Sequence, residues 1–191
     1  MSSLGGEPVS AQREEPLRRV RMSWEEFLDL PEWPRAEWVD GEVVLLVAPP
    51  VFDHGIVQTQ LSVLLTTLFP EKYVVPEVFL VLPRNRVRLP DLMLVDERPP
   101  DGWVRTAPLL VVEVLSPSTR SEDTVRKSME YAAGGAGQYW VVDPELRAMD
   151  LWLNVDGEWD LLARLDDRQP TATVQLAGVD VPLDLRTVLR D

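Results

Sequence analysis

The chain has 191 residues, 45% of them hydrophobic, which is enough for one well-cored domain. Its formal net charge of −13 argues against broad, non-specific adhesion to nucleic acid, yet a local basic rim can still act, because charges farther apart than about 8 Å are screened at physiological salt. Cysteine is absent, which excludes disulfides, thiolate metal sites and a cysteine nucleophile together, so any metal must sit on oxygen or on His54.

Residues 1–20 are rich in Ser, Gly, Pro and alternating charge and are expected to be a disordered tail, leaving 21–191 as a single domain. That segment lacks the apolar core of a signal peptide, and no apolar run approaches the roughly 20 residues of a spanning helix. A soluble, cytoplasmic protein without a membrane partner is expected. Ser23-Trp24-Glu25-Glu26 has the form of a capping box and predicts a short helix ended near Pro31. Glu37 to Leu45 predicts a hairpin turning at Asp40-Gly41. Between Asp53 and Phe69, Val57, Leu61, Leu64, Leu65 and Leu68 fall on one helix face, with Asp53 as candidate cap.

Lys72 to Leu82 predicts one strand. Pro90-Asp91-Leu92-Met93-Leu94-Val95 and Leu109-Leu110-Val111-Val112-Glu113-Val114-Leu115 are apolar runs that read as buried strands, joined by a loop of turn residues and so antiparallel. Ser116 to Thr119 marks a helix start, Val125, Met129 and Ala132 form its expected inner face, and Gly134-Gly135 ends it. Tyr139 to Val142 is the next strand, parallel to the one bearing Glu113. A hairpin around Asp156-Gly157, one further strand and a short terminal helix complete the expectation.

The acids in the two apolar runs need a reason, since a lone carboxylate in a buried strand costs several kcal/mol or must change its protonation state. Pairing Val95 with Leu109 places Asp91 opposite Glu113, with Cβ atoms about 5 Å apart. Such carboxylates repel unless a cation lies between them, and a divalent ion on oxygen ligands is the economical answer. Lys127 lies early in the following helix, and helical side chains lean toward the N-terminus, so its stem can point back at the acids. Two acids, a metal and a lysine are the parts that phosphodiester hydrolysis needs.

These residues carry a resemblance. Pro90-Asp91, Val112-Glu113-Val114-Leu115-Ser116-Pro117-Ser118-Thr119, Lys127, Tyr131-Ala132 and Tyr139-Trp140-Val141-Val142-Asp143-Pro144 resemble the Uma-type endonucleases of the PD-(D/E)XK superfamily. The Ser23-Trp24-Glu25-Glu26-Phe27 and Glu37-Trp38-Val39-Asp40-Gly41-Glu42 segments extend the match upstream. The resemblance implies an α/β fold of restriction-endonuclease-like type, a mixed sheet flanked by helices with additional hairpins. It implies Asp91 and Glu113 as metal ligands, the Val114 carbonyl and Glu37 as further ligands, Mg2+ or Mn2+ as the ion, and DNA as the partner. The third letter of E-x-K is Leu115 here, so Lys127 takes the part of a migrated catalytic lysine.

Arg84, Arg86 and Arg88, clustered before Asp91, are candidate phosphate contacts. His54 is expected to make a structural hydrogen bond, and Trp103 has no assigned place. A non-catalytic nucleic-acid- or protein-binding regulatory module on the same fold is the competing reading, and a homo-oligomer stays open.

Overall fold

The computed structural model describes residues 17–31, 35–46, 52–116 and 122–190. Most of the expected tail lies outside them, but Leu17–Arg21 form strand β1, so residues 17–20, expected to be disordered, are part of a sheet. Its hydrogen bonds come from β3 (Glu42–Leu46), in a register that sets Leu17 against Leu46 and Val20 against Val43. That pairing is long-range and leaves no local signature. Helix α1 (Trp24–Leu28) carries the complete capping box: the Ser23 hydroxyl accepts from the Glu26 N–H, and the Glu26 carboxylate accepts from the Ser23 N–H. The turn from β2 (Arg35–Val39) to β3 has positive φ at Asp40 (51°) and Gly41 (87°), the requirement that selects Asp-Gly in tight hairpins.

Helix α2 (Phe52–Leu68) buries His54, Val57, Leu61 and Leu65 at helical spacing. Asp53 lies inside its first turn, not at the cap. The single strand expected over 72–82 is two. β4 (Tyr73–Pro76) and β5 (Leu80–Leu82) are separated by a bend at Glu77, φ 50°, and enter different sheets. β6 (Arg86–Arg88) returns beside β5 and completes a five-stranded sheet of order β1-β3-β2-β6-β5, antiparallel throughout.

β7 (Leu92–Val95) and β8 (Leu110–Val114) pair antiparallel in the expected register, Leu92 with Val112, Met93 with Val111 and Leu94 with Leu110. β8 then pairs in parallel with β9 (Gln138–Asp143). Of the segment between them, 117–121, where the helix start was expected, lies outside the described residues. A π-helical turn (Glu122–Lys127) leads into α3 (Ser128–Ala133). Of the expected inner face Ala132 is buried, but Val125 and Met129 are 56% and 68% exposed, and Lys127 and Tyr131 point inward instead. The wider π turn alters the phase of the apolar positions, and the bonds from Lys127 and Tyr131 to Glu113 fix which side faces the sheet. A side chain at Gly137 would put its Cβ 2.8 Å from the Leu109 carbonyl oxygen, so the entry to β9 requires glycine.

β10 (Ala148–Val155) and β11 (Glu158–Leu165) form the Asp156-Gly157 hairpin and finish a six-stranded mixed sheet of order β11-β10-β9-β8-β7-β4. Instead of one further strand there are two, β12 (Thr171–Leu176) and β13 (Val179–Asp184), turning at Ala177-Gly178. Helix α4 (Leu185–Leu189) follows.

The continuous apolar runs of β7 and β8 are explained by cover on both faces. Leu92, Leu94, Leu110 and Val112 pack with Val57, Leu61 and Leu65 of α2 and with the β12–β13 hairpin. Met93, Val95 and Val111 pack on the other face with Leu80, Val104, Tyr131 and Tyr139. Burial of each large α2 side chain contributes about 1.5–3 kcal/mol. A third cluster lies with the five-stranded sheet and finds a place for Trp103, whose ring is 4.8 Å from Phe79 and 6.0 Å from Trp24.

Candidate active site

Asp91 heads β7 and joins three elements. Its Oδ2 accepts the Val114 N–H at 2.7 Å, its Oδ1 lies 3.0 Å from His54 Nε2 of α2, and its own carbonyl accepts from Gln58 Nε2 at 2.7 Å. Continuing the β7–β8 register sets Asp91 opposite Glu113. Glu113 Oε1 accepts the Tyr131 hydroxyl at 2.6 Å and Lys127 Nζ at 3.2 Å. The same ammonium lies 3.0 Å from Glu37 Oε1. Lys127 therefore bridges a carboxylate of each large sheet.

Glu37 is fully buried and accepts from three donors, Lys127, the Leu89 N–H at 3.0 Å and Arg88 Nη1 at 2.9 Å. Arg88, also fully buried, turns its Nε and Nη2 onto the two oxygens of Glu130 at 2.6 and 3.0 Å, a fork that matches guanidinium geometry. Arg86 Nε stands 3.1 Å from Glu130 Oε1. An unbroken series of ionic contacts thus runs Arg86–Glu130–Arg88–Glu37–Lys127–Glu113.

Burial opposes the charged forms of Glu37, Asp91 and His54, and their partners reverse it. Burial pushes the Glu37 carboxyl up, but Lys127 and Arg88 outweigh it and hold it below the usual value of 4.5. Burial likewise pushes Asp91 up, and the hydrogen bond and charge of His54 bring it below the usual value. For His54 burial favours the neutral ring, yet Asp91 raises its pKa above normal. Burial, and then the negative charge of Glu113, raise Tyr131 well above normal, so its phenol stays protonated and donates to Glu113.

The fold brings Asp91, Glu113, Lys127 and Glu37 together, with Val114 bonded to Asp91 through its N–H. The arginines expected to share phosphate contacts are parted. Arg88 is buried between Glu37 and Glu130 and cannot reach a ligand, Arg86 is partly covered against Glu130, and Arg84 stands exposed in the β5–β6 turn. The physical reason is strand alternation: the side of β6 that carries Arg86 and Arg88 faces the acids of the interior. Sequence reasoning missed Tyr131, Glu130 and the bond from His54 to Asp91. Tyr131 had a signal, since it lies one helical turn after Lys127. The Arg88–Glu130 pair, 42 residues apart, had none.

Two carboxylates and a neighbouring carbonyl are an all-oxygen donor set, which suits a hard divalent ion that keeps several waters. Among the described residues no group of three or more His, Cys, Asp or Glu side chains is gathered to hold a metal. Glu37 accepts from Lys127, Arg88 and the Leu89 N–H and presents the lysine to Glu113.

No curated protein matches the chain. A crystal structure described as "a putative nuclease belonging to DUF820" from Anabaena variabilis matches with a TM-score of 0.69 at 18% identity, covering 87% of this chain and 96% of that one, a likeness that carries the fold. Residues 24–185 match the Uma2 family, described as "Putative restriction endonuclease". With most of its length inside that match, the protein belongs to the Uma2 family.

Proposed function

We propose that the protein is a metal-dependent endonuclease that hydrolyses phosphodiester bonds of DNA. The observation that carries the reading is Lys127, buried and bonded to both Glu113 and Glu37, beside an Asp91 that stands opposite Glu113. In this reading Asp91, Glu113 and the Val114 carbonyl hold Mg2+ or Mn2+. The ion supplies Lewis-acid polarisation of the scissile phosphate. His54 orients Asp91 from one side while the Val114 N–H fixes it from the other. Tyr131 occupies Oε1 of Glu113 and so sets the direction of the second oxygen. Glu37 holds the Lys127 ammonium where it stabilises the charge that builds as water attacks phosphorus and one P–O bond breaks. The proton lost by water ends on the departing oxygen. The binding-module reading would leave a lysine buried between two carboxylates, beside Asp91, without a chemical task.

The test is plasmid cleavage by purified protein with magnesium or manganese. Cleavage is expected to need the ion, and Asp91→Ala and Glu113→Ala are each expected to lower it by several orders of magnitude. Full activity in chelator, or in both repurified variants, would sink the assignment.

A further inference from the structure

On the side of α3 away from Glu113 lies a cleft of about 720 Å³, walled by the β5–β6 turn, the outer face of α3 with its π turn, and the β10–β11 turn. Sites of this size, roughly 300–1,000 Å³, take small ligands or pieces of a polymer. Three arginines, Arg84, Arg86 and Arg126, and two acids, Glu130 and Glu158, line it, and Arg86 is bonded to Glu130, so the basic excess of the cleft rests on Arg84 and Arg126 in a chain whose charge is −13. Arg84 stands out from its turn with φ 60° and has no acidic partner among the described residues. The lining is not purely basic. Met129 is 68% exposed within it, and Trp159, anchored through its indole N–H to the Ser128 carbonyl at 2.8 Å, forms part of the wall.

We propose that this cleft holds an unpaired stretch of a nucleic-acid strand, with backbone phosphates at Arg84 and Arg126 and a base against Met129 and Trp159. Arginines alone would suit the outside of a duplex. An apolar side chain and an aromatic ring beside them suit a base whose face is uncovered, which a paired, stacked strand does not offer. The cleft also reaches the candidate lysine through the contacts from Arg86 to Glu130, Arg88 and Glu37, so a strand held here lies one helix away from the acids. The inference deepens the endonuclease reading by naming the form of its substrate, and rests on it for its meaning.

The test uses full-length Asp91→Asn protein in chelator, so that nothing is cut. Fluorescence anisotropy compares a fluorescein-labelled oligothymidylate with a blunt duplex of equal length over a series of salt concentrations. The single strand should bind at least about tenfold more tightly, and Arg84→Gln with Arg126→Gln should weaken it and lower the salt slope by roughly 1.4, as expected for two phosphates lost from a single strand. Met129→Asp, at an exposed position that the fold does not need, should also weaken the single strand. Equal affinity for the two forms, or an unchanged salt slope in the double variant, would overturn the proposal. Displacement of the strand by polyglutamate, with the same sensitivity to the arginines, would overturn it in favour of an acidic protein partner. Plasmid cleavage does not enter this readout, so an inactive wild type and an empty cleft are separate outcomes.

Discussion

At the scale of single residues, Lys127 separates two functions that the acids combine. An ammonium is no ligand for a hard cation, so its loss should remove charge stabilisation and leave the metal donors in place. Lys127→Met is expected to lower cleavage by about 10²–10³, the usual effect of one lost charge-stabilising donor, while the metal-induced rise in melting temperature is kept. Calorimetric titration showing that metal affinity collapses with the lysine would contradict this division. The acids were legible because strand pairing is arithmetic: once the loop made β7 and β8 antiparallel, the opposition of Asp91 and Glu113 followed. The lysine was legible from the lean of helical side chains, though Glu130, a near neighbour on the same element, is bonded instead to Arg88 and Arg86. His54 was read as a structural hydrogen bonder, and only the fold reveals that its partner is Asp91. The opposed carboxylates were expected to need an inorganic cation between them. Here Lys127 and His54 already stand against them, which explains how the fold tolerates them in its interior.

At the scale of elements, β6 and α3 are joined by the buried Arg88–Glu130 fork, and β6 and β2 by Arg88–Glu37. Arg88→Met would strand two carboxylates and is expected to destabilise the protein by about 3–5 kcal/mol, measured by urea unfolding. Glu37 adds a pH signature. Its folded pKa lies below the usual value of 4.5, so its contribution is present above that value and is lost as pH falls through the lower folded one. Glu37→Gln should therefore be less stable than wild type at neutral pH and lose less on acidification below about pH 4.5. Parallel acid limbs in the two melting series would place the pH dependence elsewhere. Elements whose cause is local were legible: the capping box, the Asp-Gly turns at 40–41 and 156–157, and the β8–α3–β9 crossover. Those decided by a distant partner were not. β1 exists because β3 offers it a ladder, and the bend at Glu77 exists because β4 and β5 belong to different sheets. The Ala177-Gly178 turn hid the second strand of the last hairpin, since alanine at positive φ, here 47°, is not a turn signal.

At the scale of the whole molecule, the site lies where the two large sheets meet. Asp91 ties β7 to β8 and α2, while Glu37 ties β2 to β6 and to the π turn before α3, and Lys127 spans from Glu37 to Glu113. Global stability should therefore report on the site without any substrate. An ion that binds only the folded protein adds RT ln(1+[L]/Kd), about 2.7 kcal/mol at a hundredfold excess over Kd. Magnesium or manganese is accordingly expected to raise the melting temperature of the wild type. Two opposed carboxylates alone would let Asp91→Asn melt above wild type in chelator, by relieving repulsion. The bond to His54 reverses that expectation, because the neutral amide keeps at most a weaker hydrogen bond in place of the one from His54 that holds the Asp91 pKa down. Asp91→Asn should therefore melt below wild type in chelator and gain much less from the added ion. The check is a melting series on both proteins at fixed ionic strength, with and without metal. Equal metal-induced shifts would remove Asp91 from the ligand set. A variant that melts above wild type in chelator would mean that repulsion from Glu113 outweighs the support that His54 and the Val114 N–H give the carboxylate.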